Sequence, residues 1–270
     1  MREEINTIWP NELRDYLQSR KESDYLLVDV RQPKEYTQEH IPGARLIPLK
    51  SLTAAPPDLP KDKDLIFYCR KGLRSRVAAD FCADSGFTPK RIFSLAGGIT
   101  AWEEAVLPDF PKIQIFAGLP NLSDLLPTAM NLEKGAFLFY SYLIDKLADS
   151  HLIEELKQIA GMETAHARIL FDLLPKDTAP TFQDYFEALS GEIIEGGLPL
   201  NEACQRLNDL PGDLLVNAQE LALEIEYSAY DLYRTLANQQ VLDDKAEIFL
   251  NLAQAEKNHI QKLAQLFDQP

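Results

Sequence analysis

Two segments of this chain repeat each other at a fixed distance. Glu133-Lys-Gly-Ala136-Phe-Leu-Phe-Tyr140 aligns with Glu226-Tyr-Ser-Ala229-Tyr-Asp-Leu-Tyr233, and Glu163-Thr-Ala-His166 aligns with Glu256-Lys-Asn-His259, every pair offset by 93 residues. One offset shared by polar and aromatic matches marks a duplicated structural unit. Apolar residues around these motifs recur at helical spacing over about 124–148, 151–174, 213–238 and 244–267. The stretch between, about 175–212, contains Gly-Gly-Leu-Pro and reads as a long crossover with one or two short helices. Two helical hairpins joined by one long connection predict a four-helix bundle.

The motifs carry ligand chemistry. Glu163 and His166 are three apart on a helix and share a face, as do Glu256 and His259. Glu133 and Glu226 each precede their Glu-x-x-His partner by 30 residues. If the hairpins turn near residues 148 and 241, each glutamate pair lies at one height on antiparallel neighbours. Four carboxylates and two imidazoles then converge inside the bundle. Unpaired buried carboxylates are costly, so the set calls for two divalent cations. Oxygen-rich ligation with one His per ion suits iron or manganese better than structural zinc. A lone Glu-x-x-His is common on helix surfaces; the doubling and the two partner glutamates carry the argument. His151 lacks such companions and reads as an exposed helix-start residue.

The first part of the chain has another rhythm. Tyr25–Val30, Ala44–Leu49, Asp64–Tyr68 and Arg91–Leu95 are short apolar runs of strand character. Ser75–Ser85 is helical and stops at Gly86. That alternation predicts an α/β domain with a largely parallel sheet. Prolines 108, 111, 120 and 127 cluster between the two parts and mark a linker. We expect an α/β domain over 1–110, a linker over 111–122 and the bundle over 123–270. Charge agrees: residues 1–110 are nearly neutral at -1, whereas 111–270 carry -14 of the total of -15. The acidic part disfavours nucleic-acid and anionic-membrane partners.

Cys69 ends one predicted strand and is followed by Arg70, Lys71, Gly72, Leu73, Arg74, Ser75 and Arg76. The coming helix and the cations favour thiolate over thiol. Gly72 permits the backbone angles of a tight anion cradle. Asp29 and Arg31 are expected to brace this loop, and His40 to be structural. Cys82 and Cys204 read as small buried apolar groups.

Here the sequence resembles a known family. Leu27-Val28-Asp29-Val30-Arg31, Glu39-His40-Ile41-Pro42-Gly43-Ala44, Cys69-Arg70-Lys71-Gly72-Leu73-Arg74-Ser75 and Leu95-Ala96-Gly97-Gly98-Ile99-Thr100-Ala101-Trp102 are similar to a single rhodanese domain. The resemblance implies sulfane-sulfur transfer through a persulfide on Cys69, with 70–75 as the anion-binding loop and no cofactor. The loop reads Cys-x4-Arg, as in sulfurtransferases; related phosphatases have one residue more. Glu39 replaces a common Gly, and Leu73 is less polar than usual in this loop. Partners would be a small anionic sulfur donor, such as thiosulfate, and a thiol-type acceptor.

Residues of about 121–270 resemble a rubrerythrin-like, ferritin-like domain. That implies a di-iron centre that reduces peroxide or oxidises iron. Tyr140 and Tyr233 match the tyrosine that follows a ligand glutamate there. Many relatives place a further carboxylate three residues beyond the third-helix glutamate; here that residue is Ala229. The CxxC pairs of a rubredoxin module are missing, so electrons would come from an external donor. Related bundles dimerise, which makes a homodimer the expectation. An iron-binding or storage module carrying a partner-binding rhodanese domain is the rival reading.

The remaining composition sets bounds. No run of about 18 apolar residues suggests a membrane span, and the N-terminus lacks a signal-peptide core. Three cysteines without a CxxC pair suit a reducing, cytoplasmic compartment.

Overall fold

The computed structural model describes residues 4–54, 59–85, 89–119, 121–147, 150–175, 181–238 and 246–267. The chain divides into two compact units, Met1–Pro111 with Tyr233–Gln254 and Lys112–Leu232 with Ala255–Pro270.

The first unit is built on a five-stranded, all-parallel sheet: β1 (Ile5–Ile8), β2 (Tyr25–Asp29), β3 (Arg45–Leu46), β4 (Asp64–Tyr68) and β5 (Arg91–Leu95), in the order β1-β5-β4-β2-β3. β2 and β4 are buried along their whole length. Parallel strands covered on both faces read as continuous apolar runs, which is why both were visible in the sequence. Flanking helices are α1 (Pro10–Ser19), α2 (Pro33–Tyr36), α3 (Leu49–Ala54) and α4 (Leu73–Asp84). One face packs Val28, Phe67, Ala78 and Cys82; the other packs Leu13, Leu27, Ile66 and Ile99. β3 is shorter than its apolar run, although the Ile47 and Leu49 amides still donate to the Asp29 and Val30 carbonyls at 2.9 and 3.1 Å. β1 and α1 lie outside the strand and helix segments read from the sequence. The Gly86 stop signal falls outside the described residues. The helical segment of this unit brings Arg234, whose guanidinium lies 3.2 Å from the Glu22 carboxylate and donates to the Glu22 carbonyl at 2.6 Å.

Register puts the site together. Asp29 pairs with Tyr68, and Phe67 with Ser94. The residues just past β2, β4 and β5 therefore meet at one rim, where α/β sheets hold their ligands.

The second unit is helical: α5 (Leu122–Lys146), α6 (Ser150–Asp172), α7 (Phe182–Ala188), α8 (Leu200–Asp209), most of α9 (Leu214–Ala237) and the C-terminal part of α10 (Ala246–Phe267). The four long helices are a ferritin-like bundle, and α7 and α8 are the short helices of the crossover. Its core includes Phe139, Tyr140, Leu156, Ile159, Leu221, Ile225 and Leu263. Pro127 lies inside α5 and not in the linker. It is the sixth helical residue, so it forfeits only a bond to the first turn. The side chain of His151 lies outside the described residues. No helix among the described residues is long and apolar enough to cross a membrane.

Candidate active site and candidate metal centre

Cys69 follows β4 directly and is buried. Gly72, at φ 91°, caps α4, which starts at Leu73. A side chain at 72 would be strained and would press on the Gly97 amide and the Leu95 carbonyl, both 3.3 Å from its Cβ. The loop is held from behind. The Ile99 amide donates to the Cys69 carbonyl at 2.8 Å, and the Thr100 amide and hydroxyl donate to the Arg70 carbonyl at 3.1 and 2.7 Å. A Cβ on Gly98 would stand 2.3 Å from the Cys69 carbonyl oxygen, so only glycine admits this approach. With those carbonyls tied outward, loop amides turn inward.

The Gly72 amide donates to Cys69 Sγ at 3.1 Å. Burial alone would push the thiol up. The Ser75 amide and hydroxyl, then the Lys71 and Gly72 amides, outweigh it and hold Cys69 below the ordinary thiol value. Ser75 Oγ accepts from Ser94 Oγ at 3.0 Å and donates to the Gly72 carbonyl, 3.0 Å away. The cations contribute less than their number suggests. Arg70, Lys71 and Arg76 are exposed. Arg74 makes a bidentate pair with Glu35 at 2.6 and 2.7 Å, which lowers the Glu35 carboxyl to about 2. Leu73 is 80% exposed at the rim. Asp29 accepts from Arg31 Nε and Nη2 at 2.9 and 2.7 Å, and Arg31 also donates to the Glu39 carbonyl at 2.6 Å. The Tyr68 hydroxyl accepts from the Ile41 amide at 3.2 Å and bonds Asp29, so the brace reaches the residue before Cys69. His40 is buried and stacks on Tyr36 at 3.9 Å. Burial pushes Cys82 up to about 11, an inert thiol.

The six ligand candidates of the second unit converge. Glu133, Glu163, His166 and Glu256 bring ligand atoms within 4.8 Å of one another, and so do Glu163, Glu226, Glu256 and His259. Glu163 and Glu256 belong to both groups; Glu133 and Glu226 belong to one each. His166 Nδ1 lies 3.2 Å from Glu133 and 3.5 Å from Glu163. His259 Nδ1 lies 3.1 Å from Glu226 and 3.2 Å from both Glu163 and Glu256. All six are buried. Both oxygens of Glu163 and of Glu256 and Nδ1 of His166 lack hydrogen-bonding geometry at these short distances. His259 and Glu226 do bond each other, through Nδ1 and Oε2 at 3.1 Å. The Tyr140 hydroxyl donates to Glu226.

The electrostatics show a trap for positive charge. Burial lowers the His166 imidazole, but Glu133 and Glu163 outweigh it and push it up to about 11. Burial drives Glu256 well above the carboxylate range, with Glu226 and Glu163 adding to it. Glu226 moves the other way, because the His259 imidazole and Tyr140 outweigh its burial. The donor set and its inward aim fit two divalent ions.

One acidic residue was not singled out in the sequence. Glu195, at the crossover tip, is buried, and its carboxyl hydrogen-bonds that of Glu133. Burial and the carboxylates of Glu133, Glu256 and Glu163 raise it well above its ordinary range.

The molecule thus pairs a sulfur-activating cysteine cradle with a carboxylate–imidazole bundle. Comparison with known proteins places both halves. The rhodanese-like domain family matches residues 10–105 and the rubrerythrin family matches residues 217–270. A sulfurtransferase of Allochromatium vinosum is 40% identical over 85 residues, 32% of this chain and 78% of that protein. The thiosulfate sulfurtransferase GlpE of Pseudoalteromonas translucida is 32% identical over 82 residues, 30% of this chain and 76% of its own length. The probable adenylyltransferase/sulfurtransferase MoeZ of Mycobacterium tuberculosis is 39% identical over 106 residues, and this chain spans only 26% of it. The chain belongs to the rhodanese-like family in its first part, and residues 217–270 of its last part match the rubrerythrin family.

Proposed function

We propose that the protein is a sulfurtransferase that carries sulfane sulfur on Cys69, fused to a two-metal oxidoreductase bundle. The limits we assign are 1–110 for the sulfurtransferase domain, 111–122 for the linker and 123–270 for the bundle. The observation behind the first assignment is the buried thiol ringed by inward amides in a Cys-x4-Arg loop. The thiolate attacks the outer sulfur of a thiosulfate-like donor. A Sγ–S bond forms as the donor S–S bond breaks, and sulfite leaves with the electron pair. A thiol-type acceptor, as its thiolate, then attacks the terminal sulfur and releases the Cys69 thiolate. The loop amides and Ser75 stabilise the anion at each stage, and Arg70 and Lys71 draw the donor to the rim. Incubation with thiosulfate is expected to add the mass of one sulfur atom to the wild type. Thiosulfate:cyanide transfer that persists unchanged in Cys69→Ser would sink the assignment.

The bundle would hold two iron ions, or manganese, through Glu133, Glu163, His166, Glu226, Glu256 and His259, and with them bound would supply electrons to peroxide. Tyr140 orients Glu226, and the apolar core around it excludes water. An external electron donor completes the cycle, and the assembly is a homodimer. The second reading is oxidation of iron by oxygen at the same carboxylate-rich site. Metal content of about two per chain, lost in Glu163→Ala/His166→Ala, supports the centre; less than one in the wild type refutes it. Stopped-flow reoxidation separates the two readings. Faster reaction with peroxide than with oxygen supports the first, and the reverse order supports the second.

A further inference from the structure

The crossover between α7 and α8 does more than connect. Ile193 and Pro199 form an antiparallel bridge, the Ile194 amide donates to the Leu198 carbonyl at 2.8 Å, and the Gly197 amide donates to the Ile194 carbonyl at 2.9 Å. This closes a tight hairpin with Glu195 at its tip, followed by Gly196 at φ 72° and Gly197 at φ 87°. The hairpin is wedged between two helices by glycine. A Cβ on Gly135 of α5 would stand 2.2 Å from the Ile193 carbonyl oxygen, and one on Gly196 would stand 2.4 Å from Ser228 Cβ and 3.2 Å from the Ala229 amide. The tip therefore occupies the space beside Ala229, in the turn of α9 that follows Glu226. Its carboxyl is 1% exposed and bonded to Glu133.

We propose that Glu195 is a fifth carboxylate of the metal centre, a ligand of the ion held by Glu133 and His166, delivered by the crossover and not by a bundle helix. The proposal rests on the two-metal reading above. Glu195 and Glu133 bring two carboxyl groups together in a space closed to water, Glu195 from just outside the group that Glu133 forms with Glu163, His166 and Glu256. The other half of the site is built differently, since Glu226 has the Tyr140 hydroxyl as its neighbour. The duplication makes the helical ligands equivalent, and Glu195 makes the two ions inequivalent.

The test is a Co2+ titration of the metal-free full-length chain. Bound ion is counted by equilibrium dialysis, and coordination is followed by the visible ligand-field bands. Wild type should take two ions. Glu195→Gln should keep one at wild-type affinity and lose more on the other than the roughly 10–100-fold that a residue merely supporting a ligand is worth. The bands of the weakened site should change, while Glu192→Gln, at an exposed neighbour, should leave both ions as in wild type. Glutamine still offers Glu133 an N–H. If Glu195 only held Glu133 in place, Glu195→Gln would keep the wild-type spectrum and lose no more than roughly 10–100-fold, and that result overturns the proposal. Should Glu195→Gln not fold, as read by far-UV circular dichroism, Glu195→Asp draws the carboxylate back by one methylene and must weaken the same ion; unchanged binding would again overturn it. Fewer than two ions in wild type would refute the two-metal reading itself, a failure distinct from that of Glu195.

Discussion

Neutral groups stabilise the thiolate of Cys69 more than the cations that crowd its sequence. Exposed charges about 4 Å away act through water and are worth ~1 kcal/mol, whereas a hydrogen bond to a charged group contributes ~1.5–3 kcal/mol. Because the Cys69 pKa lies below its ordinary value, thiolate persists as pH falls and is lost on passing through the lowered pKa. Ser75→Ala removes one donor, so the acidic limb of the alkylation rate against pH should move to higher pH. Lys71→Ala should move it less and should instead raise KM for an anionic donor. If Lys71→Ala shifts the limb more than Ser75→Ala, the amide account is wrong. Cys69 and the residues of its loop were legible in the sequence because they are contiguous. Glu35, which neutralises Arg74, and Ser94, which bonds Ser75 across the β4–β5 register, were not, because only the folded sheet brings them near.

At the scale of elements, the shared positions of Glu163 and Glu256 predict a pattern of metal loss. Glu163→Gln or Glu256→Gln should empty both positions, whereas Glu226→Gln should leave one ion, counted by elemental analysis. Equal loss from all three would show that the groups are not shared as the geometry has them. The helix pairs were readable because α5 ends at Lys146 and α6 starts at Ser150, and α9 ends at Ala237 and α10 starts at Ala246, as the glutamate spacing requires; the turn positions expected near 148 and 241 lie outside the described residues. Glu195 was not, because the 93-residue offset carries it to Trp102, outside the bundle, and the duplication says nothing of the crossover. A carboxylate directly before two glycines was the available signal. β1 escaped because its four residues hold two polar ones and it pairs only at the sheet edge. Gly135→Ala tests the wedge. Alanine gains ~1 kcal/mol of helix propensity over glycine, while overpacking costs ~1–3 kcal/mol. A backbone carbonyl 2.2 Å from the new Cβ has no rotamer to relieve it, so the variant should unfold at lower urea concentration. A stabilised Gly135→Ala would mean the crossover does not seat against α5.

For the whole molecule, the uneven charge acquires a partial cause. Five of the second part's acidic residues lie buried at the centre, where repulsion among them opposes folding until positive charge enters. An ion that binds only the folded state stabilises it by ~2.7 kcal/mol at 100 times its dissociation constant. Two such ions supply about 5 kcal/mol, which for a domain of this size corresponds to a rise in Tm of roughly 10–20 °C. Chelation should therefore lower the unfolding temperature of the bundle by about that amount, read by calorimetry with and without a stripping agent. The sulfur chemistry proposed for Cys69 calls for no metal, so thiosulfate:cyanide transfer below that transition should proceed at an unchanged rate in the stripped protein. A transfer rate that falls with metal removal and returns when the ions are restored would show that the two sites communicate, and would replace independent action with coupling between the cysteine cradle and the centre.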